Sequence, residues 1–252
     1  DAEILAIGSE LILGTTVDTN SAYLARQLAA AGVNLRCKRV IGDDIDAIAA
    51  TLTDILSRVN LVICTGGLGP TVDDITREAV AQAFNRPLEF HQELMDQINA
   101  RFAAMKRLPS PSNRRQAYIP QGARALENPH GTAPGFILED DQRTTIVLPG
   151  VPYEMRYLFE QEVLPYLLNE RGVRGVILVR TLHAVGMGES VIGERIADLM
   201  HQKNPSLGIS AKNARYELRI AARSDDPAAA ARMLDEVEAE LRDRLGSSLI
   251  GN

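Results

Sequence analysis

Short apolar runs alternate with amphipathic stretches through the first two thirds of this 252-residue chain. The runs at 3–8 and 61–67 are typical of buried strands, and each ends in glycine. The stretches at 18–32, 43–59 and 152–171 repeat apolar residues at helical spacing. Strands that alternate with helices indicate right-handed βαβ crossovers and a mostly parallel sheet covered on both faces. The sequence therefore predicts an α/β fold.

Residue 171 begins a different order of elements: strand, helix, hairpin, helix and a short last strand. This βαββαβ order predicts a small ferredoxin-like or related split-βαβ module. We therefore predict a larger domain over residues 1–170 and a smaller α+β domain over residues 171–252.

The composition argues for a soluble protein that works on small molecules. Hydrophobic residues make up 45% and charged residues 24%, and the net charge is −6. A protein that lives on nucleic acid usually has a basic surplus, and 4% aromatic residues leave little for a stacking platform. No stretch approaches the roughly 20 apolar residues of a membrane span. We expect a cytoplasmic protein in which Cys37 and Cys64, both in strand-like runs, are buried.

The segment TGGLGPTVDD at 65–74 follows a predicted strand and precedes a helix expected to begin near Asp74. Glycines such as Gly66, Gly67 and Gly69 let backbone N–H groups approach an anion without an intervening side chain. A helix N-terminus also favours phosphate. The segment is neither a P-loop nor a dinucleotide-binding Gly-x-Gly-x-x-Gly, because the required residues do not follow.

Asp73 and Asp74 would repel a bare phosphate bound at this loop. A divalent cation shared between carboxylate and phosphate oxygens removes the conflict. The alternative is structural: one aspartate caps the helix, and the glycines only make a turn.

Three further segments carry polar residues to the same predicted edge of the sheet. In α/β folds the ligand crevice lies beyond the carboxyl ends of the parallel strands. GSELILGTTVDTN at 8–20 supplies Glu10 and Asn20, NPHGTAPGF contains Thr132, and LPGVPYEM contains Gly150 and Glu154. Each also has an ordinary reading, as a solvated acid, a turn, or an acid that stabilises a helix dipole. Arg115 in SNRRQA fits phosphate oxygens as a fork, or is a solvated loop residue.

Taken together, GSELILG…DTN, GGLGPTVDDITREAVA, NRRQA, NPHGTAPGF and LPGVPYEM resemble the molybdopterin-binding-like domain of the CinA-type competence/damage-inducible proteins. The remainder, through HAVGMGESVIGERIADL and NPSLGISAKNARYELRIAA, resembles the KH-like module of that family. The resemblance implies a three-layer α/β fold like MogA and gephyrin. It also implies that a C-terminal nicotinamide-mononucleotide deamidase domain, common in full-length members, is missing from this chain.

The resemblance further implies a function, because some family members are ADP-ribose pyrophosphatases that need a divalent metal (Mg, Mn, Co or Ni) and potassium. We therefore hypothesise hydrolysis of ADP-ribose to AMP and ribose 5-phosphate by a homodimer that binds no membrane. The hypothesis gives catalytic and metal-binding roles to Glu10, Asp73, Asp74 and Glu154. It gives substrate contacts to Asn20, Gly66, Gly67, Gly69, Thr71, Arg115, Thr132 and Gly150.

Two alternatives stay open at the level of sequence. One is molybdopterin binding or adenylylation on the same fold, which uses the same phosphate and Mg²⁺ chemistry. The other is a non-catalytic nucleic-acid-associated or scaffold protein. Against the latter, residues 171–252 hold 12 Lys and Arg and 11 Asp and Glu, and GMGE at 186–189 lacks the second glycine of a KH GXXG loop.

Overall fold

The computed structural model of the protein describes residues 1–141, 143–212 and 215–250. By its internal contacts the chain divides into two compact units. The first comprises Asp1–Gln27 and Asn34–Gly172, and the second Leu28–Val33 and Val173–Asn252.

The first unit contains three parallel βα connections followed by an antiparallel extension. Its strands are β1 (Ala2–Ile7), β2 (Leu35–Ile41), β3 (Leu61–Thr65), β4 (Leu88–Phe90), β5 (Tyr118–Pro120), β6 (Arg124–Leu126), β7 (Gly135–Asp140) and β8 (Arg143–Leu148). The helices that begin in it are α1 (Ser9–Ile12), α2 (Thr19–Ala30), α3 (Ile45–Leu56), α4 (Thr76–Ala83), α5 (Gln92–Ala104) and α6 (Pro152–Leu158).

The central sheet has six strands in the order β2-β1-β3-β8-β7-β6. The first four are parallel, β7 is antiparallel to β8, and β6 is antiparallel to β7. The predicted mostly parallel sheet is confirmed. The short strands β4 and β5 form a separate antiparallel pair.

The sheet is buried on both faces, as its apolar runs predict. Every residue of β1 and β3 is buried. On one face Leu5 and Val62 pack with α3, α4 and α5 in a single apolar cluster. On the other face Ile4 and Ile63 are equally buried. Asp44 starts α3 by accepting a hydrogen bond from Ala47 N at 2.8 Å, which satisfies one of the free donors of the first turn.

The edge strand β2 departs from the sequence expectation. Its residues are all half-buried or exposed, and Cys37 is exposed, whereas Cys64 in the central strand β3 is buried. The prediction that both cysteines are buried is therefore wrong for Cys37. A strand-like pattern does not tell an edge from a centre, because neighbours in the sheet decide burial.

The predicted helix over 152–171 forms, but not as a uniform α-helix. After α6 the chain widens into π-helical turns at Phe159–Val163 and Tyr166–Glu170. The proline-broken segment after α5 is a 3-10 helix, Pro111–Ala117, that leads into β5.

The second unit holds β9 (Val176–Ala184), α7 (Glu189–Met200), β10 (Ser206–Lys212), β11 (Arg215–Ser224), α8 (Pro227–Leu245) and β12 (Leu249–Ile250). Its sheet order is β10-β11-β9-β12, with every adjacent pair antiparallel. The predicted βαββαβ order is confirmed. Both helices pack one apolar face on this sheet, and Ile196 and Leu241 are fully buried in the cluster.

Among the residues that the structure describes, none of the helices combines the length and apolar character that a bilayer crossing requires.

Candidate functional site

One cavity of about 460 Å³ opens at the carboxyl ends of β1, β3 and β8. These strands are parallel neighbours, so the segments that follow them meet at one edge of the sheet. The prediction that their turns share this edge is confirmed. Ten of the twelve predicted site residues line the cavity, which makes it the candidate site: Glu10, Asn20, Gly66, Gly67, Gly69, Asp73, Asp74, Thr132, Gly150 and Glu154.

The glycine loop after β3 is folded onto the first turn of α4. Gly66 and Gly67 have φ values of +110° and +66°, which favour glycine. A Cβ on Gly66 would lie 2.1 Å from the carbonyl oxygen of Ile7, so only glycine lets the end of β3 approach the end of β1 this closely. Thr76 Oγ1 donates to Gly66 O at 2.8 Å, and Thr76 N donates to Gly67 O at 3.2 Å.

The two adjacent aspartates are held by Thr71. Asp74 Oδ2 accepts hydrogen bonds from Thr71 N, at 2.8 Å, and from the Thr71 hydroxyl. The same hydroxyl is bonded to Asp73 Oδ1 and holds the pKa of Asp73 below its ordinary value. Helix α4 begins at Thr76, two residues later than predicted. Neither aspartate caps it; their hydrogen bonds go to Thr71 instead.

Glu154 lies in the first turn of α6 and is buried. Asn128 Nδ2 donates to Glu154 Oε2 at 2.6 Å and to Ala133 O at 2.9 Å. Asn128 Oδ1 in turn accepts the backbone N–H of Gly131 at 3.0 Å. Sequence reasoning gave Asn128 no role, although its place before a proline in NPHG is a turn signal. Here that turn orients a buried carboxylate beside the half-buried Thr132.

Glu10 and Asn20 approach the cavity from the segment after β1. Glu10 is on the one-turn helix α1 and is exposed, and its carboxylate lies against Gly8. Asn20 Nδ2 donates to Gly150 O at 2.7 Å and to Thr65 Oγ1 at 3.1 Å, so it joins the start of α2 to the ends of β3 and β8. The N-terminal turn of α2 is capped by Asp18, which accepts from the N–H of Ser21 at 2.8 Å.

Thr71 and Arg115 are the two predicted residues that do not line the cavity. The Arg115 guanidinium donates to Thr71 O and, at 2.9 Å, to Glu78 Oε1. Both Nη atoms of Arg115 thus already donate to protein oxygens, and the Glu78 carboxylate on α4 neutralises the guanidinium charge. Thr71 is exposed, and its hydroxyl is engaged with the aspartates. A direct phosphate contact from either residue stays a prediction.

The predicted metal ligands share a cavity but do not form a closed cage. Within residues 1–141, 143–212 and 215–250, no group of three or more His, Cys, Asp and Glu side chains is arranged to hold a metal. Asp73 and Asp74 are adjacent, whereas Glu10 and Glu154 reach the cavity from other segments. All four offer carboxylate oxygens, the ligands that hard divalent cations prefer.

The chain is therefore a two-unit α/β protein. Its larger unit has a glycine-rich, acid-lined cavity at the carboxyl edge of a mostly parallel sheet, and its smaller unit has a βαββαβ order. Comparison with known proteins identifies the family of the chain. Residues 3–169 match the family model described as "Probable molybdopterin binding domain", and residues 179–251 match the "Damage-inducible protein CinA KH domain". The chain belongs to the CinA family of competence/damage-inducible proteins.

Individual relatives agree with this assignment. A competence-damage inducible protein of Caldicellulosiruptor saccharolyticus is 43% identical over 99% of this chain, and one of Symbiobacterium thermophilum is 44% identical over 100%. The chain spans 61% and 60% of their respective lengths. The crystal structure of the protein CinA from Thermoplasma acidophilum is 35% identical, with a TM-score of 0.60, and the match covers 63% of this chain and 94% of that one.

Proposed function

We propose that the cavity binds the diphosphate of ADP-ribose and hydrolyses it to AMP and ribose 5-phosphate, with a divalent cation present. The observation that carries the proposal is the juxtaposition of glycine-loop backbone with four carboxylates around one cavity. Backbone N–H groups suit phosphate oxygens, and carboxylates suit a cation, so the two sets together fit a metal-bound diphosphate.

The size and lining of the cavity fit a nucleotide. Its 460 Å³ falls within the roughly 300–1,000 Å³ of small-molecule sites. The glycine loop would receive the diphosphate, while Thr132 and Asn20 supply polar groups on either side.

The residues present fit a hard divalent cation such as Mg²⁺. Mg²⁺ is usually held by one or two carboxylates together with waters and substrate phosphates, so a closed protein cage is not required. The Thr71 hydroxyl carries one proton and can donate to only one of Asp73 and Asp74 at a time. The other carboxylate is then available as a ligand, and Glu10 and Glu154 line the same cavity from other segments. When bound, the cation supplies Lewis-acid polarisation of a phosphoryl oxygen.

In the reaction, a water oxygen attacks one phosphorus of the diphosphate. A new P–O bond forms, and the bond from that phosphorus to the bridging oxygen breaks. The electron pair stays on the bridging oxygen, which leaves with the other phosphate. A carboxylate among Glu10, Asp73, Asp74 and Glu154 accepts the proton lost by the water, as a general base.

The experiment that tests the proposal is AMP release from ADP-ribose in Mg²⁺, Mn²⁺, Co²⁺ and Ni²⁺, each with and without potassium. We expect turnover that depends on the divalent ion and is lost in excess chelator. Absence of AMP under all these conditions, from protein with a cooperative thermal transition, contradicts the proposal.

The match to a molybdopterin-binding family model favours one second candidate, a phosphorylated pterin bound in the same cavity. Isothermal titration with ADP-ribose and with molybdopterin separates the two. Tighter binding of the pterin, together with no AMP release, would favour the second candidate.

A further inference from the structure

Arg77, on the first turn of α4, is a buried cation beneath the glycine loop. The residue is 1% exposed. Its Nη1 donates to Leu68 O at 2.7 Å, and its Nη2 donates to Gly69 O at 2.9 Å. Its Nε is buried without a hydrogen-bond partner. Among the residues that the structure describes, no carboxylate comes within ion-pair distance of it. Burying a charge without a paired counter-ion is costly.

The carbonyls of the loop are fixed one after another on the side of α4. Thr76 holds those of Gly66 and Gly67, and Arg77 holds those of Leu68 and Gly69. Gln116 Nε2 adds a bond to Leu68 O at 3.3 Å. Together these bonds satisfy four consecutive carbonyl groups.

This row of fixed carbonyls determines where the loop's donors point. In a trans peptide the N–H is directed opposite to the C=O of the same unit. Because the carbonyls of Gly66, Gly67 and Leu68 face α4, the next three N–H groups face away from it. Those N–H groups, on residues 67–69, donate to no acceptor in the described part of the chain, and all three residues line the cavity.

We propose that Arg77 is a positioning residue that holds the 66–69 loop as a preformed cradle for a diphosphate and whose buried charge is balanced when that diphosphate binds. It acts through the backbone and does not touch the ligand. The inference rests on the proposed function only for the identity of the anion. Preformed donors need no reorganisation when the ligand arrives, and a fixed positive charge acts more strongly where water is excluded.

The electrostatic environment of Arg77 agrees with this role. Burial lowers the pKa of its guanidinium to about 10, while nearby Glu78 and Asp74 partly oppose the shift. The group therefore stays protonated at neutral pH. Arg77 therefore keeps a positive charge directly behind the loop, where it favours an anion bound at the loop N–H groups.

A second arginine offers a matched control for a purely structural role. Arg86 also donates to two backbone carbonyls, Gln121 O at 3.1 Å and Glu139 O at 3.2 Å. It differs from Arg77 in having a counter-ion, Asp140, at 3.2 Å, and the residues whose carbonyls it holds do not line the cavity, whereas Leu68 and Gly69 do.

The test compares Arg77→Met, Arg77→Lys and Arg86→Met by isothermal titration with inorganic pyrophosphate and Mg²⁺. We expect Arg77→Met to bind about tenfold or more weakly, because both the charge and the carbonyl anchors are lost. Arg77→Lys keeps the charge and one anchor, so it restores part of the affinity. Arg86→Met keeps wild-type affinity even where its melting temperature falls. In steady-state kinetics, Arg77→Lys raises KM for ADP-ribose more than it lowers kcat.

A folded Arg77→Met protein with wild-type pyrophosphate affinity overturns the proposal. If that variant does not fold, amide NMR of the wild-type protein decides the question. Pyrophosphate must then shift the N–H resonances of residues 67–69, and unchanged resonances overturn the proposal. Wild-type protein that binds pyrophosphate in an Arg77-dependent way but releases no AMP from ADP-ribose contradicts the proposed function alone.

Discussion

Two segments that border the cavity follow similar strands but are held in place in different ways. Residues 66–77, here called the anchored side, follow β3, and residues 8–18, here called the open side, follow β1. Both strands are buried, parallel and adjacent. On the anchored side, side chains from α4 and from the 3-10 helix fix the loop carbonyls, and Arg115 extends this to Thr71 O.

The open side is held mainly by its own local hydrogen bonds. Thr15 N and Thr16 N both donate to Glu10 O, at 3.1 and 3.3 Å. Its long-range bonds lie at its start: Gly8 N donates to Ile41 O at 2.9 Å, and Ser9 N and the Ser9 hydroxyl donate to Asp43 Oδ2 at 2.8 and 2.7 Å. Three apolar side chains on this side are more than half exposed: Ile12, Leu13 and Val17.

This difference indicates that the two sides have different roles in ligand binding. A loop whose carbonyls are fixed by distant side chains presents its donors in one arrangement, which is what binding of a compact anion requires. A segment with local bonds and few buried contacts opens at lower cost and can adapt to the rest of the ligand. We expect changes on the anchored side to affect function more than equivalent changes on the open side.

The largest effect is expected from removing one exposed carboxylate on each side. Asp73→Ala should lower metal-dependent kcat/KM by about 100-fold or more, because Asp73 is oriented by Thr71 beside the loop. Glu10→Ala should cause a smaller loss, since the Glu10 carboxylate accepts no hydrogen bond from the described residues. Both side chains are exposed, so thermal melting should show native folding for each variant. Equal losses would remove the distinction between the two sides.

A glycine-to-alanine change places a methyl group against a carboxylate on each side of the cavity. A Cβ at Gly69 would lie 2.3 Å from Asp74 Oδ2, and a Cβ at Gly8 would lie 2.5 Å from Glu10 Oε1. Asp74 cannot move without losing its bonds to Thr71, whereas Glu10 can turn into solvent. Gly69→Ala should therefore lower kcat/KM for ADP-ribose by about tenfold to 100-fold.

Gly8→Ala serves as the matched variant and should stay within a few-fold of wild type. A result in which Gly8→Ala is the more damaging change would show that Glu10, and not Asp74, has the stricter geometry.

Much of the fold was predictable from the sequence because it depends on local patterns. Continuous apolar runs predicted the buried strands β1 and β3, and the βαβ alternation then placed their following segments at one edge. The glycines of the 66–69 loop, Glu154 and Asn20 were found in this way. Cys37 was misjudged because an edge strand carries much the same pattern as a central one.

The parts that the sequence could not predict depend on contacts between segments far apart in the chain. Arg77 in TREAVA looks like an ordinary helix residue, and only the folded loop above it reveals a buried cation on two carbonyls. Arg115 was predicted to bind phosphate, but Glu78, which occupies its fork, lies 37 positions away. Asn128 looked like a turn residue, and its bond to Glu154 spans 26 positions.

The bonds that Asn20 makes to the ends of β3 and β8 should contribute measurably to stability. Asn20 Nδ2 joins the start of α2 to Thr65 and Gly150, and Asn20→Ala removes both hydrogen bonds. We expect the free energy of unfolding, measured in urea, to fall by about 1–3 kcal/mol. Gln82→Ala, which removes one exposed side-chain hydrogen bond to Asp46, should change the free energy of unfolding by less than about 0.5 kcal/mol. An Asn20 variant as stable as the Gln82 variant would contradict this role.

The smallest effect concerns the titration of Asp73 on the anchored side. The hydrogen bond from the Thr71 hydroxyl holds the pKa of Asp73 below its ordinary value of 3.8. A folded-state pKa below the unfolded value stabilises the protein above the unfolded pKa, and this contribution is lost as the pH falls through the folded pKa. Thr71→Val should therefore raise the pKa of Asp73, measured by carboxyl NMR titration.

The stability difference between wild type and Thr71→Val that is due to this titration should shrink below about pH 3.8, because both proteins then bind the proton. Thr71→Ser keeps the hydroxyl and should titrate like the wild type. If Thr71→Val leaves the Asp73 titration where it was, then the backbone at Asp73 holds the carboxylate and Thr71 does not. In that case the contrast between the two sides of the cavity would rest on the carbonyl anchors of the 66–69 loop alone.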